Sequence, residues 1–277
     1  MSATYEKLMK CYASLRELTD FKPQLALVLG SGLGGFADTI RVAQRISYHA
    51  IDGFPTSTVE GHKGQFVLGY VDAVPVVVMQ GRVHYYEGYD MQDVVLPIRL
   101  MKLMGAEVLM VTNASGGIRD TFHAGDLMLI RDQIASFVPS PLRGTNLEEL
   151  GTRFPDMTEA YDPKLRRIIR AVAIQQDIPL QVGTYLQFAG PQFETPAEIR
   201  MAKALGADAV GMSTACEVIA ARHMGMRVCG ISCVSNLAAG LSGGPLLHED
   251  VQKSADEAAP RFEKLVYHSI IAIAKSM

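Results

Sequence analysis

Short, nearly unbroken apolar runs alternate along this chain with longer stretches of helical periodicity. That alternation constrains the fold more than any other feature. Leu25–Leu29, Val74–Gln80 and residues 108–112, 127–130, 209–212 and 228–233 are rich in Val, Ile and Leu and are bounded by Gly, Pro or polar groups. Runs of this kind read as strands covered on both faces. Residues 91–104, 163–176, 196–205, 216–223 and 254–275 carry apolar positions at helical spacing. The order predicts an α/β fold with a mixed, largely parallel central sheet flanked by helices, in a single domain over residues 1–277. Tyr5, Leu8, Tyr12 and Leu15 step by three and four, which predicts an amphipathic N-terminal helix and not a secretion signal. Two segments read as irregular: 137–157, and 239–247 with its Ser242-Gly243-Gly244-Pro245.

The chain of 277 residues is 48% hydrophobic and 20% charged, with a formal net charge of −3. It is long enough to bury a large core unaided, and it lacks the basic excess of a nucleic-acid or anionic-membrane binder. No charge-free run approaches a membrane span. The four cysteines, Cys11, Cys216, Cys229 and Cys233, are spaced for neither a zinc site nor a disulfide framework. Reduced, buried thiols in a cytoplasmic protein are expected.

In open α/β sheets, ligands bind beyond the carboxyl ends of the strands. The residues at those ends form a chemically selective set in this chain. Leu25–Leu29 leads into Gly30-Ser31-Gly32-Leu33-Gly34-Gly35, and Val74–Gln80 into Gly81-Arg82-Val83-His84-Tyr85-Tyr86-Glu87-Gly88. The later runs lead into Asn113-Ala114-Ser115-Gly116-Gly117, Ser213, and Val234-Ser235-Asn236. Core packing does not ask for these hydroxyl, amide and basic groups. Gly30, Gly32 and Gly35 also spell a dinucleotide fingerprint. However, residues 36–40 are too short for the crossover helix that fingerprint needs, although Asp52 stands near the required distance. An anion loop fits better: glycines admit backbone N–H groups and Ser31 adds a donor. Arg82 and His84, two apart on an extended segment, project to one side. The arginine fork suits phosphate, and Glu87 is placed to hold His84 charged or oriented. His62, framed by Gly61 and Gly64, is another loop histidine. With Ser31 and Ser213, this combination points to a phosphate site.

Taken together, Gly30-Ser31-Gly32-Leu33-Gly34, Gly61-His62, Gly81-Arg82-x-His84-x-Tyr86-Glu87-Gly88, Asn113-Ala114, Gly190-Pro191-x-Phe193-Glu194-Thr195 and Gly211-Met212-Ser213 resemble the trimeric, low-molecular-mass purine nucleoside phosphorylases. The motifs run in order over nearly the whole chain. The resemblance implies a pentosyltransferase of purine salvage, working as a cytoplasmic homotrimer. It would use inorganic phosphate as substrate, without cofactor or metal, and would have no nucleic-acid or membrane partner. It implies that Ser31, His62, Arg82, His84, the backbone of Ala114 and Ser213 hold phosphate. Tyr86, Met212 and His248 would contact ribose. Phe193, Glu194 and Asn236 would bind the purine, with Asn236, His84 and Glu194 as the catalytic set. An ionised Glu194 only accepts hydrogen bonds, which suits the N1–H of a 6-oxopurine such as that of inosine or guanosine and disfavours adenine. Two positions depart from the family pattern. Leu150 stands where mammalian relatives place an aromatic side chain that covers a neighbour's ribose, and Ser235 stands where many relatives carry threonine. Three alternatives remain: a methylthioadenosine phosphorylase, for which an aspartate is expected in place of Asn236; a nucleoside-binding protein without catalysis; and a nucleoside hydrolase.

Overall fold

The computed structural model describes residues 2–59, 63–241, 243, 244, 246 and 248–277, without the side chains of 248–250. Its nine strands are β1 (Leu25–Leu29), β2 (Arg41–Ser47), β3 (Gln65–Val71), β4 (Val74–Gln80), β5 (Val108–Gly117), β6 (Asp126–Ile134), β7 (Leu180–Gln187), β8 (Ala209–Gly211) and β9 (Arg227–Leu237). They form one mixed sheet in the order β2-β3-β4-β1-β5-β8-β7-β6-β9. The central pairs β4–β1 and β1–β5 are parallel, as are β5–β9, β6–β7 and β7–β8. Because β9 also pairs with β5, the second half of the sheet closes on itself through β5, β8, β7, β6 and β9.

Helices cover the sheet: α1 (Ala3–Leu18), α2 (Phe36–Thr39), α3 (Met91–Val94), α4 (Leu96–Met104), α5 (Pro163–Gln175), α6 (Pro196–Ala204), α7 (Ala215–His223) and α8 (His248–Ala274). The expected both-face burial is realised residue by residue in β1. Ala26 and Val28 pack into one core with Leu8, Leu15, Phe66 and Met101. Leu25, Leu27 and Leu29 pack into the other with Phe36, Ile169, Phe262 and Ile270. Period-2 alternation sends successive side chains to opposite faces, so each core is filled from the same strand.

The structure corrects several expectations. The helix expected over 91–104 breaks at Val95 (φ −95°, ψ −3°). Pro97 brings no N–H to the turn across that break, which interrupts the hydrogen-bond ladder there. Strands β2, β3 and β7 are not among the expected six. β2 in particular leaves most of its side chains exposed and shows no apolar run. Asn113–Gly117 and Val234–Asn236 are not loops after strands but the continuation of β5 and β9. Conversely, β8 ends at Gly211, and Met212 stands in the turn beyond it. The irregular reading of 137–157 holds; it contains turns but no regular element.

Candidate active site

The closed half of the sheet leaves a gap along β5. β1 accompanies β5 only as far as Val111, and β8 joins it only at Gly116. Between them one edge of β5 carries no strand. The Thr112 carbonyl on that edge accepts from Arg82 Nη1 at 2.8 Å. Backbone groups of alternate strand residues face the same side, so those of Ala114 point the same way. A cavity of about 350 Å³ opens there, within the usual range for small-molecule sites.

Its walls come from Ser31 after β1, Arg82, His84 and Tyr86 after β4, Asn113–Gly116 of β5, Met212 and Ser213 after β8, and Ser235 and Asn236 of β9. Pro191, Phe193 and Glu194 reach it from the β7–α6 loop, and Val251 from α8. Ten of the twelve residues singled out from sequence therefore face one cavity: Ser31, Arg82, His84, Ala114, Ser213, Tyr86, Met212, Phe193, Glu194 and Asn236. His62 and the side chain of His248 lie outside the described residues. Leu150 is only 5% exposed and packs in the core of its own chain, so in this conformation it presents no surface to a neighbour.

The glycine loop is built as much by steric need as by anion binding. A Cβ on Gly30 would lie 2.5 Å from the Asn113 Cα, so only glycine lets β1 approach β5 here. The Gly30 N–H is already given to Thr112 Oγ1 at 3.1 Å. The four-residue α2 beyond the loop is no crossover helix, which removes the dinucleotide reading.

Arg82 is 2% exposed. Its fork does not face open space: Nε and Nη2 donate to Glu217 Oε1 and Oε2 at 2.7 and 2.9 Å. Burial works against the guanidinium charge, but the Glu217 carboxylate outweighs it and holds the arginine above its ordinary range. Sequence reading missed Glu217, whose partner lies 135 positions away and whose neighbours read as ordinary helix. His84 is oriented by Glu87, whose Oε1 lies 2.8 Å from Nδ1 and also accepts the His84 backbone N–H at 2.7 Å. Burial lowers the imidazole's proton affinity, and nearby Arg82 lowers it further against the pull of Glu87. Glu87 itself is drawn down to about 2: burial opposes this, but donors from His84 and from the backbone and side chain of Thr58 prevail. Tyr86 stacks on His84 with ring centres 4.6 Å apart.

Ser213 heads α7. Thr214 adopts φ 81°, ψ −58°, and Ala215 N–H donates back to the Ser213 carbonyl at 3.0 Å. A β-branched residue in this region is strained, and strain of this kind concentrates at functional sites. A buried chain of polar groups secures it: Asn113 Nδ2 donates to Thr214 Oγ1 at 2.9 Å, Ser232 Oγ donates to Asn113 Oδ1 at 2.5 Å, and Ser115 Oγ lies 2.7 Å from Ser232 Oγ.

On the other side of the cavity, the β5–β9 register shifts so that Ser115 pairs with Val234 but Gly116 with Asn236. Ser235 is the extra residue of a bulge, a device that re-aims a neighbouring side chain. Its hydroxyl donates to Asn236 Oδ1 at 2.9 Å and leaves Nδ2 as the donating end, which reaches the Leu237 carbonyl at 2.9 Å. Ser235, where many relatives are expected to carry threonine, thus supplies the hydroxyl for this bond. Glu194 precedes Thr195, which closes a reciprocal capping box with Glu198 at the start of α6. Burial raises the Glu194 carboxyl above the usual range, and Glu198 adds to the rise. Among the described residues no three His, Cys, Asp or Glu converge as a metal-binding set.

The profile of the phosphorylase superfamily matches residues 24–271. Purine nucleoside phosphorylase 1 of Geobacillus stearothermophilus is 49% identical over 262 residues, 95% of this chain and 96% of that protein. The Bos taurus purine nucleoside phosphorylase is 44% identical, over 95% of this chain and 93% of that protein. The structure of the Schistosoma mansoni purine nucleoside phosphorylase in complex with inosine superposes with a TM-score of 0.91 at 36% identity, covering 98% of both chains. A chain that matches the family profile over residues 24–271, and such relatives along almost its full length, belongs to the phosphorylase superfamily, among the purine nucleoside phosphorylases.

Proposed function

We propose that this chain catalyses the reversible phosphorolysis of 6-oxopurine ribonucleosides and deoxyribonucleosides, inosine and guanosine among them, to free base and pentose 1-phosphate. The observation that carries the reading is the single cavity that brings Ser31, Arg82, His84, Ala114 and Ser213 together with Phe193, Glu194 and Asn236. The first group, borne on β4, β1, β5 and the β8–α7 turn, suits an oxyanion. The second, borne on β9 and the β7–α6 loop, suits a purine. Tyr86 and Met212 would face the sugar between them.

In this reading a phosphate oxygen attacks C1′ as the C1′–N9 bond breaks. The bonding electrons pass to the purine, and positive charge builds on the sugar. Phosphate is both nucleophile and the anion beside that charge, so holding it in line supplies much of the acceleration. Asn236 Nδ2, released from the Leu237 carbonyl, donates to the N7/O6 side of the base as negative charge gathers there. Glu194 accepts from N1–H. Its raised carboxyl implies that base recognition weakens on the acid side sooner than for an ordinary glutamate. His62 and His248 keep their proposed phosphate and ribose roles. The homotrimer is the assembly that the family resemblance implies. Four free, buried cysteines suit a reducing cytoplasm.

Turnover of a nucleoside panel with and without phosphate tests the reading. Inosine and guanosine should release base only when phosphate is supplied. Faster cleavage of adenosine or methylthioadenosine would overturn the substrate assignment, and phosphate-independent release would make the enzyme a hydrolase.

A further inference from the structure

The phosphate end of the cavity depends on a side chain that its own strand does not position. Arg82 leaves the end of β4 and is fixed from across the molecule. Glu217 takes Nε and Nη2 in a paired grip, at 2.7 and 2.9 Å, and the Thr112 carbonyl takes Nη1. Both side chains of the pair are almost fully buried, at 2% and 1% exposure. Glu217 is not among the residues that line the cavity; it stands behind the arginine.

Its place in the helix explains how a buried carboxylate is tolerated there. Glu217 lies in the first turn of α7, three residues after the Thr214 cap, where the partial positive charge of a helix N-terminus favours an anion. The residue before that cap is Ser213, which does line the cavity. One short stretch of chain therefore delivers a hydroxyl to the site and, a turn later, the carboxylate that sets the arginine. The N–H groups of Ala215 and Cys216 are spent on the Ser213 carbonyl and Gln187 Oε1. The helix thus contributes through these two side chains more than through open backbone donors.

We propose that Glu217 is a positioning residue for phosphorolysis: it touches no substrate, but it fixes the rotamer and charge of Arg82, so phosphate affinity depends on it and base affinity does not. The inference rests on the reading that the cavity takes phosphate. A bare arginine buried this deeply would carry a large desolvation cost. Pairing lets the guanidinium stand ready before phosphate arrives, so less ordering remains at the binding step.

The test is a set of two variants read on two ligands. Glu217→Gln keeps the shape but turns an NH2 towards an arginine donor. It should raise the phosphate KM roughly 10- to 100-fold, the worth of a hydrogen bond to a charged group. The dissociation constant for hypoxanthine should stay within about twofold, since distant groups that share no partner are nearly independent. Glu217→Asp keeps the charge on a shorter stem and should fall between wild type and Glu217→Gln in phosphate KM. A purely architectural role for the pair would shift both ligands together, or neither. Either result in the folded Glu217→Gln protein overturns the proposal. If that variant does not fold, Glu217→Asp decides: a raised phosphate KM with unchanged hypoxanthine affinity supports the proposal, and an unchanged phosphate KM overturns it. Direct calorimetric binding of inorganic phosphate to wild type and variants separates the two claims. Base release without phosphate in the wild type would fail the functional reading, whereas equal phosphate affinity in wild type and variant would fail this inference alone.

Discussion

At the scale of single residues, Glu87 carries a pH dependence that can be signed. Its carboxyl is held at about 2 in the folded chain against the ordinary 4.5, so the unfolded chain binds more protons between those values. The stability it contributes is complete above about pH 4.5 and is lost as pH falls towards 2. Denaturation of wild type and Glu87→Gln should therefore converge as pH drops from 5 to 3. A constant gap would show that the carboxylate is not the source. Asn236 makes a second residue-scale prediction. Asn236→Ala should lower kcat by roughly 10²- to 10³-fold, the usual cost of one transition-state donor, with phosphate KM little changed. An equal loss in both constants would remove it from the base side of the cavity.

At the scale of elements, the site opens where β5 runs on beyond β1, and Gly30 lets the two strands stay close up to that point. A Cβ at Gly30 would meet Asn113 backbone atoms at 2.5 to 3.1 Å. Backbone cannot swing aside as a side-chain tip can, so Gly30→Ala should cost about 1–3 kcal/mol in denaturant unfolding and also reduce activity. Wild-type stability in that variant would mean that the strands separate freely. The central strands were legible in sequence because burial on both faces leaves apolar runs. β2 was not, because an exposed edge strand reading Arg-Val-Ala-Gln-Arg-Ile-Ser has no such run. The strand-end groups were legible because Ser31, Arg82, His84, Ser213 and Asn236 interrupt apolar runs with chemistry the core does not need. Their precise setting was not. The bulge at Ser235 depends on the partner strand, and the grip on Arg82 depends on a residue from α7, so neither has a local signal.

At the scale of the whole molecule, two cores on opposite sides of the sheet fix the strands whose ends meet at the cavity. The ring of β5, β8, β7, β6 and β9 closes one half of the sheet and leaves the gap at Thr112–Ser115. The proposed trimer belongs to this scale. Light scattering at micromolar concentration should give three times the mass of the 30.1 kDa chain, and a monomer mass would rule out any contribution from neighbouring subunits. The central claim is that one cavity holds an oxyanion and a purine together. The most direct measurement is a crystal structure with hypoxanthine and inorganic phosphate both bound. Phosphate should lie within hydrogen-bond reach of Ser31, His84 and Ser213, and the base between Phe193, Glu194 and Asn236 in the same cavity. Phosphate and hypoxanthine lodged in separate cavities would contradict the claim.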